Sequence, residues 1–433
     1  MNKSARKTAY DALCDILDEG KYSNLALKER LNAARLSRRD KSFATRLVYG
    51  VLDEYLKLEY YIGELTKGQR VHKKIRKILL LGFYEISVLE NAYGATNEYV
   101  SLAKAIGKPM LAGFVNGVLR RFCERKDDIE LPRSTAWEAL SYEYSWPLWI
   151  LEYWGRYYDE QSIKNMLEGF RTKKHGVHIR PNLLNMDTEA FKAYLNDRGI
   201  AWKETASPYC FETTFHDFED ADFQCGVFSV QNAGSCLAAC AVTPEAGQRI
   251  LDVCAAPGGK SAMIAELMRN EGQIIACELH SHRTELIRRN MQRLGIRIVD
   301  AQTRDMRERI PSFTSRFDAV LLDAPCSGLG VMGKSDIRYK LSMGEIESLQ
   351  ALQQQLLRSA AQYVSPGGIL VYSTCTVSPL ENEEVLDAFL REQGGLFQTD
   401  DTYELHAGHR GVLQMMPHTH GEGFFIARMR RTS

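Results

Sequence analysis

Residues 250–260, ILDVCAAPGGK, join a short apolar run to a helical pattern through a turn of alanine, proline and two glycines. A buried strand that stops at such a turn and feeds a helix presents backbone N–H groups beyond the strand end. Gly258 and Gly259 permit an approach that a Cβ would block. The pattern then repeats. Residues 274–279, IIACEL, carry the carboxylate Glu278, and residues 282–295 have helical spacing with a glycine stop. IVDAQTRD reaches Asp305, FDAVLLDAPCSG reaches Asp323 and Cys326, and GILVYSTC reaches Cys375. Strands alternating with helices predict a parallel, doubly wound sheet whose ligands bind beyond the carboxyl ends of the strands. Glu278 suits a ribose diol, Asp305 an adenine amino group, and Asp323 the reaction centre. With no Walker phosphate loop and no GxGxxG, the pattern points to a nucleoside-type cofactor.

CAAPGGK, LLDAPCSG and VYSTCTVSPLENE together resemble the RNA 5-cytosine methyltransferase family (Nol1/Nop2/Sun). That resemblance runs from about residue 226 onward. A separate one, carried by ARKTAYDAL and FVNGVLRRF, is to NusB-like domains and covers the N-terminal third. The two imply a multidomain chain: an all-α NusB-like RNA-binding bundle over 1–128, a small α+β connecting subdomain over 129–225, and an α/β class I (Rossmann-like) methyltransferase over 226–433. They also imply S-adenosyl-L-methionine as cofactor, held by Cys254, Ala255, Ala256, Pro257, Gly258, Gly259, Lys260, Glu278, Asp305 and Asp323. The implied substrate is small-subunit (16S) ribosomal RNA. Transfer RNA is the alternative within the family, and a NusB-like RNA-binding or antitermination factor with a non-catalytic scaffold is the alternative outside it.

Cytosine C5 is too weak a nucleophile to take a methyl group unaided. A thiolate adding to C6 makes the ring enamine-like, and a base later removes the C5 proton as the thiolate leaves. Such a cysteine sits in an electropositive site. Cys326 follows the fourth strand and Cys375 the fifth, so a doubly wound sheet would place both thiols at one base. The residues alone leave open which sulfur attacks. DNA cytosine methyltransferases use a Pro-Cys cysteine, here Cys326. The resemblance to the RNA family instead implies Cys375, in its Thr-Cys setting, as nucleophile and Cys326 as the aid to product release. Asp323 would hydrogen-bond the cytosine N3/N4 edge and, if it does so as a protonated acid, would help to stabilise charge developing on the ring. Lys260 would contact the base or the cofactor carboxylate, or simply start the helix.

Net charge is formally zero over 433 residues, which argues against a uniformly basic nucleic-acid binder. The balance is uneven, however: residues 1–130 hold 24 Lys and Arg against 17 Asp and Glu, and the remainder holds 31 against 38. The basic excess therefore lies in the part expected to touch RNA. No apolar run has membrane-spanning length and the first twenty residues are charged, so a cytoplasmic protein without membrane contact is expected, most simply a monomer. The ten cysteines show no CxxC pair or zinc spacing. Cys236 and Cys240 fit one helix face, and His418 and His420 lack a carboxylate pattern, so no metal site is expected.

Apolar spacing predicts helices over 5–17, 24–34, 41–65, 74–90, 97–106 and 112–123. The basic run from Arg70 to Lys77 enters one of them and reads as a phosphate-contacting cluster. Residues 124–133 read as a linker, and SWPLWILEYWGRYY as aromatic core. VHIRPNLLNMDTEAFKAYLNDRGI reads strand, turn, helix, with an Arg180–Asn182 pair common in the resembled family. That family often has an acid where Asn232 stands. Between LGV and DIRY the chain has MetGlyLysSer, where relatives place a basic pair and proline. Despite that departure, Lys334, Asp336 and Arg338 remain candidates to contact RNA. The tail, ending in an apolar strand over 424–427, suits the antiparallel closing strand of a class I sheet.

Overall fold

The computed structural model describes residues 4–172, 176–215, 217, 220–331 and 336–432. The chain divides into two compact units, Met1–Leu167 with Met332–Lys340, and Glu168–Val331 with Leu341–Ser433.

The first unit is all-α among its described residues. Serines start two of its helices: Ser4 accepts from the Lys7 N–H ahead of Ala5–Leu17, and Ser37 from the Asp40 N–H ahead of Arg38–Asp53. Helix Lys73–Ser87 is central, with Ile75, Ile78, Leu79 and Phe83 all fully buried, and Phe83 stacks on Phe122 at 3.9 Å. The aromatic stretch is core, as expected: Trp146 and Trp154 are buried with ring centroids 5.1 Å apart.

The single helix expected over 41–65 is two, Arg38–Asp53 and Tyr55–Leu65, broken at Glu54. The break has identifiable partners. The carbonyls of Leu52 and Asp53 accept from Arg338, Tyr339 also donates to Leu52, and the Lys57 N–H finds Ser145 Oγ. Orphan carbonyls at a helix end need hydrogen-bond donors, and residues far along the chain supply them. Asp336 and Arg338 are therefore buried within this unit rather than offered to RNA. Lys334 lies outside the described residues.

The second unit contains a small antiparallel sheet in the order β2-β3-β1-β4, built from β1 (Val177–Pro181), β2 (Trp202–Glu204), β3 (Phe211–Thr213) and β4 (Phe228–Val230). Helix Thr188–Asp197 buries Phe191 and Leu195 against Phe211 and Phe228. The larger sheet follows the alternation seen in the sequence: β5 (Arg249–Asp252), β6 (Gln273–Glu278), β7 (Val299–Thr303), β8 (Phe317–Asp323) and β9 (Val364–Thr374) pair in parallel in the order β9-β8-β5-β6-β7. Then come β10 (Phe397–Thr399), the two-stranded β11 (Glu404–His406) and β12 (His409–Arg410), β13 (Val412–Met415) and β14 (Phe424–Arg431). β14 lies antiparallel to β9 and carries β10 and β13 on its other side, which closes the sheet as the apolar tail suggested. The chain order reverses at β5, between β6 and β8. Its carboxyl end is the crevice where such sheets take ligands.

One buried ion pair ties the small sheet to helix Gly259–Leu267, which follows β5. Arg180 on β1 donates to Glu266 Oε2 at 2.5 Å and to Gln231 at 2.8 Å, and neither charged side chain is exposed. Asn182 bonds the carbonyls of Gly226 and Leu294. Removing one partner of such a pair strands the other charge. Arg180→Met is expected to destabilise the protein by about 3–5 kcal/mol, read from its urea midpoint. Adding Glu266→Met should recover most of that loss.

Candidate active site

The turn after β5 makes the floor of a cavity of about 350 Å³. Gly258 holds φ +101°, its N–H reaches back to the Ala255 carbonyl at 2.7 Å, and helix Gly259–Leu267 begins directly after it. A side chain at Gly258 would be strained by that φ and would press on Met291 and Ile287. Cys254, Ala255, Ala256, Pro257, Gly259, Lys260 and Asp323 line the cavity. Gln231, Asn232, Ser235 and Asp252 line it too.

Asp252 went unnoticed in the sequence, although it ends its strand in a carboxylate just as Glu278 does. It is buried, and burial pushes its pKa up to about 7 despite the Ser261 hydroxyl that donates to it at 2.5 Å. Its Oδ1 has no partner. An unsatisfied buried carboxyl oxygen in a cavity wall suits a ligand that brings its own donor or cation.

Asp323 and Lys260 face each other at 2.7 Å, and Ser373 on β9 donates to the other Asp323 oxygen at 2.8 Å. Burial works against the Lys260 charge, but Asp323, Asp252 and the Cys375 sulfur together raise its pKa, so it stays an ammonium. Its Nζ sits 5.5 Å from the centre of the Phe424 ring. Asn232 donates to Glu422, whose other oxygen takes the Gly234 N–H at 2.7 Å. Glu422 thus supplies the carboxylate beside Asn232.

The two cysteines meet. Cys326 Sγ lies 3.2 Å from Cys375 Sγ and accepts the Cys375 N–H at 3.3 Å. The pairing of β8 with β9 sets Asp323 opposite Ser373, and the loop after β8 then zips along the Cys375 backbone: Ala324 N–H to the Ser373 carbonyl, Gly330 N–H to the Cys375 carbonyl. Gly330 packs so closely that a Cβ there would lie 2.0 Å from the Gly423 carbonyl. The Cys326 thiol is pushed up by its hydrogen bond to Cys375, by burial, and by the charges of Cys375 and Glu381.

Glu278 and Asp305 stand farther along the strand ends and are not among the cavity's lining residues. Glu278 is buried, takes the His280 N–H at 3.1 Å, and pairs with Arg283, which also donates to the Ala256 carbonyl. Asp305, two residues beyond β7, is engaged through both oxygens by Arg307. Among the described residues no helix is long and apolar enough to cross a membrane, and no cluster of three or more His, Cys, Asp or Glu could hold a metal.

In the first unit the basic run separates into two kinds of residue. Lys77 is buried on Asp18 at 2.7 Å and Arg76 pairs with Glu59, so both serve the fold. Arg70, Lys73 and Lys74 are exposed. Partial desolvation lowers the His72 pKa, with the positive charges of Lys108, Lys74, Lys73 and Lys77 adding to it.

Comparison with known proteins yields two family matches along the chain. A profile described as the NusB family matches residues 3–124, and one described as 16S rRNA methyltransferase RsmB/F matches residues 239–430. The probable ribosomal RNA small subunit methyltransferase B of Bacillus subtilis (strain 168) is 34% identical, with 99% of each chain covered. The chain belongs to the 16S rRNA methyltransferase RsmB/F family. A second family relative, from Synechocystis sp., is 32% identical over 99% of both chains. Among solved structures, that of PH0851 shares the fold at TM-score 0.83 and 24% identity, covering 100% of this chain and 99% of its own. A methyltransferase homolog protein from Pyrococcus horikoshii is 27% identical at TM-score 0.59, covering 69% of this chain and 99% of its own. In this RsmB/F chain the turn, the cysteine pair and the Lys260–Asp323 contact all fall inside the matched catalytic segment.

The raised Asp252 pKa has a measurable sign. Between an ordinary Asp value and about 7, the folded protein keeps a proton that the unfolded chain releases, so stability falls as pH rises through that window. Asp252→Asn lacks this loss. Its stability advantage over the parent should widen by on the order of 2–3 kcal/mol between about pH 5 and about pH 8, followed by thermal melts.

Proposed function

We propose that the protein transfers a methyl group from S-adenosyl-L-methionine to C5 of a specific cytosine in 16S ribosomal RNA through a covalent adduct between Cys375 and C6. The observation that carries this reading is the contact of the two thiols beside the Lys260–Asp323 pair. S-adenosyl-L-methionine supplies an electrophilic sulfonium methyl group when bound. The cavity after β5 fits it: Cys254, Ala255, Ala256, Pro257 and Gly259 form a cradle shaped by the turn at Gly258, and the unpartnered Asp252 oxygen suits its ammonium. Glu278 and Asp305, one and two strands away, are assigned to the ribose and the adenine.

Cys375 donates its sulfur lone pair to C6, and the C5–C6 π electrons become available at C5 for the methyl group. Asp323 accepts from the cytosine amino group, with Lys260 holding that carboxylate in place. Cys326 then assists removal of the C5 proton, the C5–C6 double bond re-forms, and the Cys375 sulfur leaves with its electron pair. Residues 1–128 are assigned to RNA binding, 129–225 to connection and 226–433 to catalysis. The names of the relatives support small-subunit ribosomal RNA over transfer RNA as substrate.

Each cysteine has its own expected phenotype. Cys375→Ala should form no adduct and lose turnover entirely. Cys326→Ala should attack and methylate, then stall as a protein–RNA species that survives denaturing gel electrophoresis. A trapped band from Cys375→Ala instead would reverse the roles. No methyl transfer by any version, the parent included, to ribosomal or transfer RNA would leave only a scaffold.

The first unit has an electrostatic test. Neutralising Lys73, Lys74 and Lys108 together should weaken RNA binding and reduce the slope of log affinity against log salt by roughly 0.7–0.9 for each phosphate no longer neutralised. A salt slope equal to that of the parent would remove this cluster from the interface.

A further inference from the structure

Behind the cysteine pair lies a carboxylate that the reaction does not use directly. Glu381 is fully buried. Its Oε1 accepts from the Ser327 N–H at 2.8 Å and from Gln353 at 3.1 Å, and its Oε2 accepts from the Ser327 hydroxyl at 2.6 Å and the Thr376 hydroxyl at 3.5 Å. Ser327 follows Cys326 and Thr376 follows Cys375, and those two hydroxyls lie 2.9 Å apart. Gln353 also donates to the carbonyl of Pro325, on the other side of Cys326. One side chain therefore touches the residue after each cysteine, and through Gln353 the residue before one of them.

A buried carboxylate surrounded by neutral donors is an expensive tie, because burial opposes its charge. An amide or a hydroxyl would hold two loops together at smaller cost. The electrostatic setting offers a reason for an acid. We propose that Glu381 is a positioning residue that divides the labour between the thiols. It ties the Cys326 and Cys375 loops into contact, and its negative charge behind Cys326 directs the thiolate to Cys375. The second half of this proposal rests on Cys375 being the nucleophile.

The surroundings of the two sulfurs differ accordingly. The charges that act most on Cys326 are those of Cys375 and Glu381, and Tyr372, whose phenol burial keeps neutral, interacts with it too. None of the three carries a positive charge. Cys375 instead interacts with the Lys260 ammonium. Negative charge is thus disfavoured at Cys326, and the two sulfurs stand in different electrostatic surroundings although they are in contact. Once the Cys375 sulfur is bonded to C6 it is a neutral thioether, and its charge no longer opposes ionisation of Cys326, as the later role of Cys326 requires.

The test uses the full chain without RNA. Iodoacetamide alkylation of each cysteine is followed against pH and resolved by peptide mass spectrometry in the parent, Glu381→Gln and Glu381→Ala. Gln keeps the size of the side chain, and rotation of the Ser327 and Thr376 hydroxyls lets them accept from its amide, but it removes the charge. In Glu381→Gln the Cys326 rate at neutral pH should rise about tenfold, a shift of about one pH unit in its profile, while the Cys375 rate stays within about twofold. Glu381→Ala should change both rates, because the tie itself is gone. An unchanged Cys326 profile in Glu381→Gln would overturn the electrostatic role, and an equal acceleration of both sulfurs would reduce Glu381 to a structural tie. Because no substrate is present, failure here is distinct from failure of the methyl-transfer reading, which shows instead as a parent protein that methylates no RNA.

Discussion

Asp323 and Ser373 sit opposite one another where β8 and β9 pair in parallel, and Ser373 Oγ closes that register with a hydrogen bond to the Asp323 carboxylate. In a sheet the side-chain period is two, so a slip of one residue would turn Asp323 away from Lys260 and send the two cysteines to different places. The contact between Cys326 and Cys375 is a downstream result of that register. From Asp323 the chain runs three residues to Cys326, and from Ser373 two to Cys375, and each loop is then pinned by backbone bonds to the other. Neither sulfur is placed by its own contacts alone.

The same region explains why polar side chains buried or half-buried at the site are tolerated. Lys260, Asp323, Asp252, Glu381 and Glu422 would each be unfavourable in isolation. Lys260 and Asp323 neutralise each other, while Glu381 and Glu422 are surrounded by donors from loops that must be held still. Of these five, Asp252 alone is left short of a partner. Preorganising charges in this way costs folding stability and places it where a ligand can recover it.

Much of this could be read from the chain. Glycine-rich turn, alternating strands and strand-end acids are local patterns, and a parallel sheet converts local order into spatial neighbours by a simple rule. That is why the meeting of residues 326 and 375, nearly fifty positions apart, was expected. What escaped the reading depends on partners distant in sequence with no pattern of their own. The helix break at Glu54 follows from Arg338 and Tyr339, and periodicity over 41–65 carries no trace of them. Lys77 looked like its basic neighbours, and only Asp18 from another helix makes it a core residue. Glu381 was visible as part of a motif, but its function as a clamp needs the positions of Ser327, Thr376 and Gln353.

The segment Asp336–Tyr339 gives the first unit a particular dependence on chain order. Its Arg338 and Tyr339 complete a helix end and a turn formed by residues 52, 53 and 145. On a ribosome, about 5–20 residues are added per second. The bundle's own residues therefore emerge well before the piece that satisfies them, with most of the second unit's parallel sheet in between. Residues 3–124, which match the NusB family, thus share a compact unit with hydrogen-bond donors encoded far downstream. An excision at residue 128 would hand those carbonyls to water, trading fixed donors for mobile ones at that helix end.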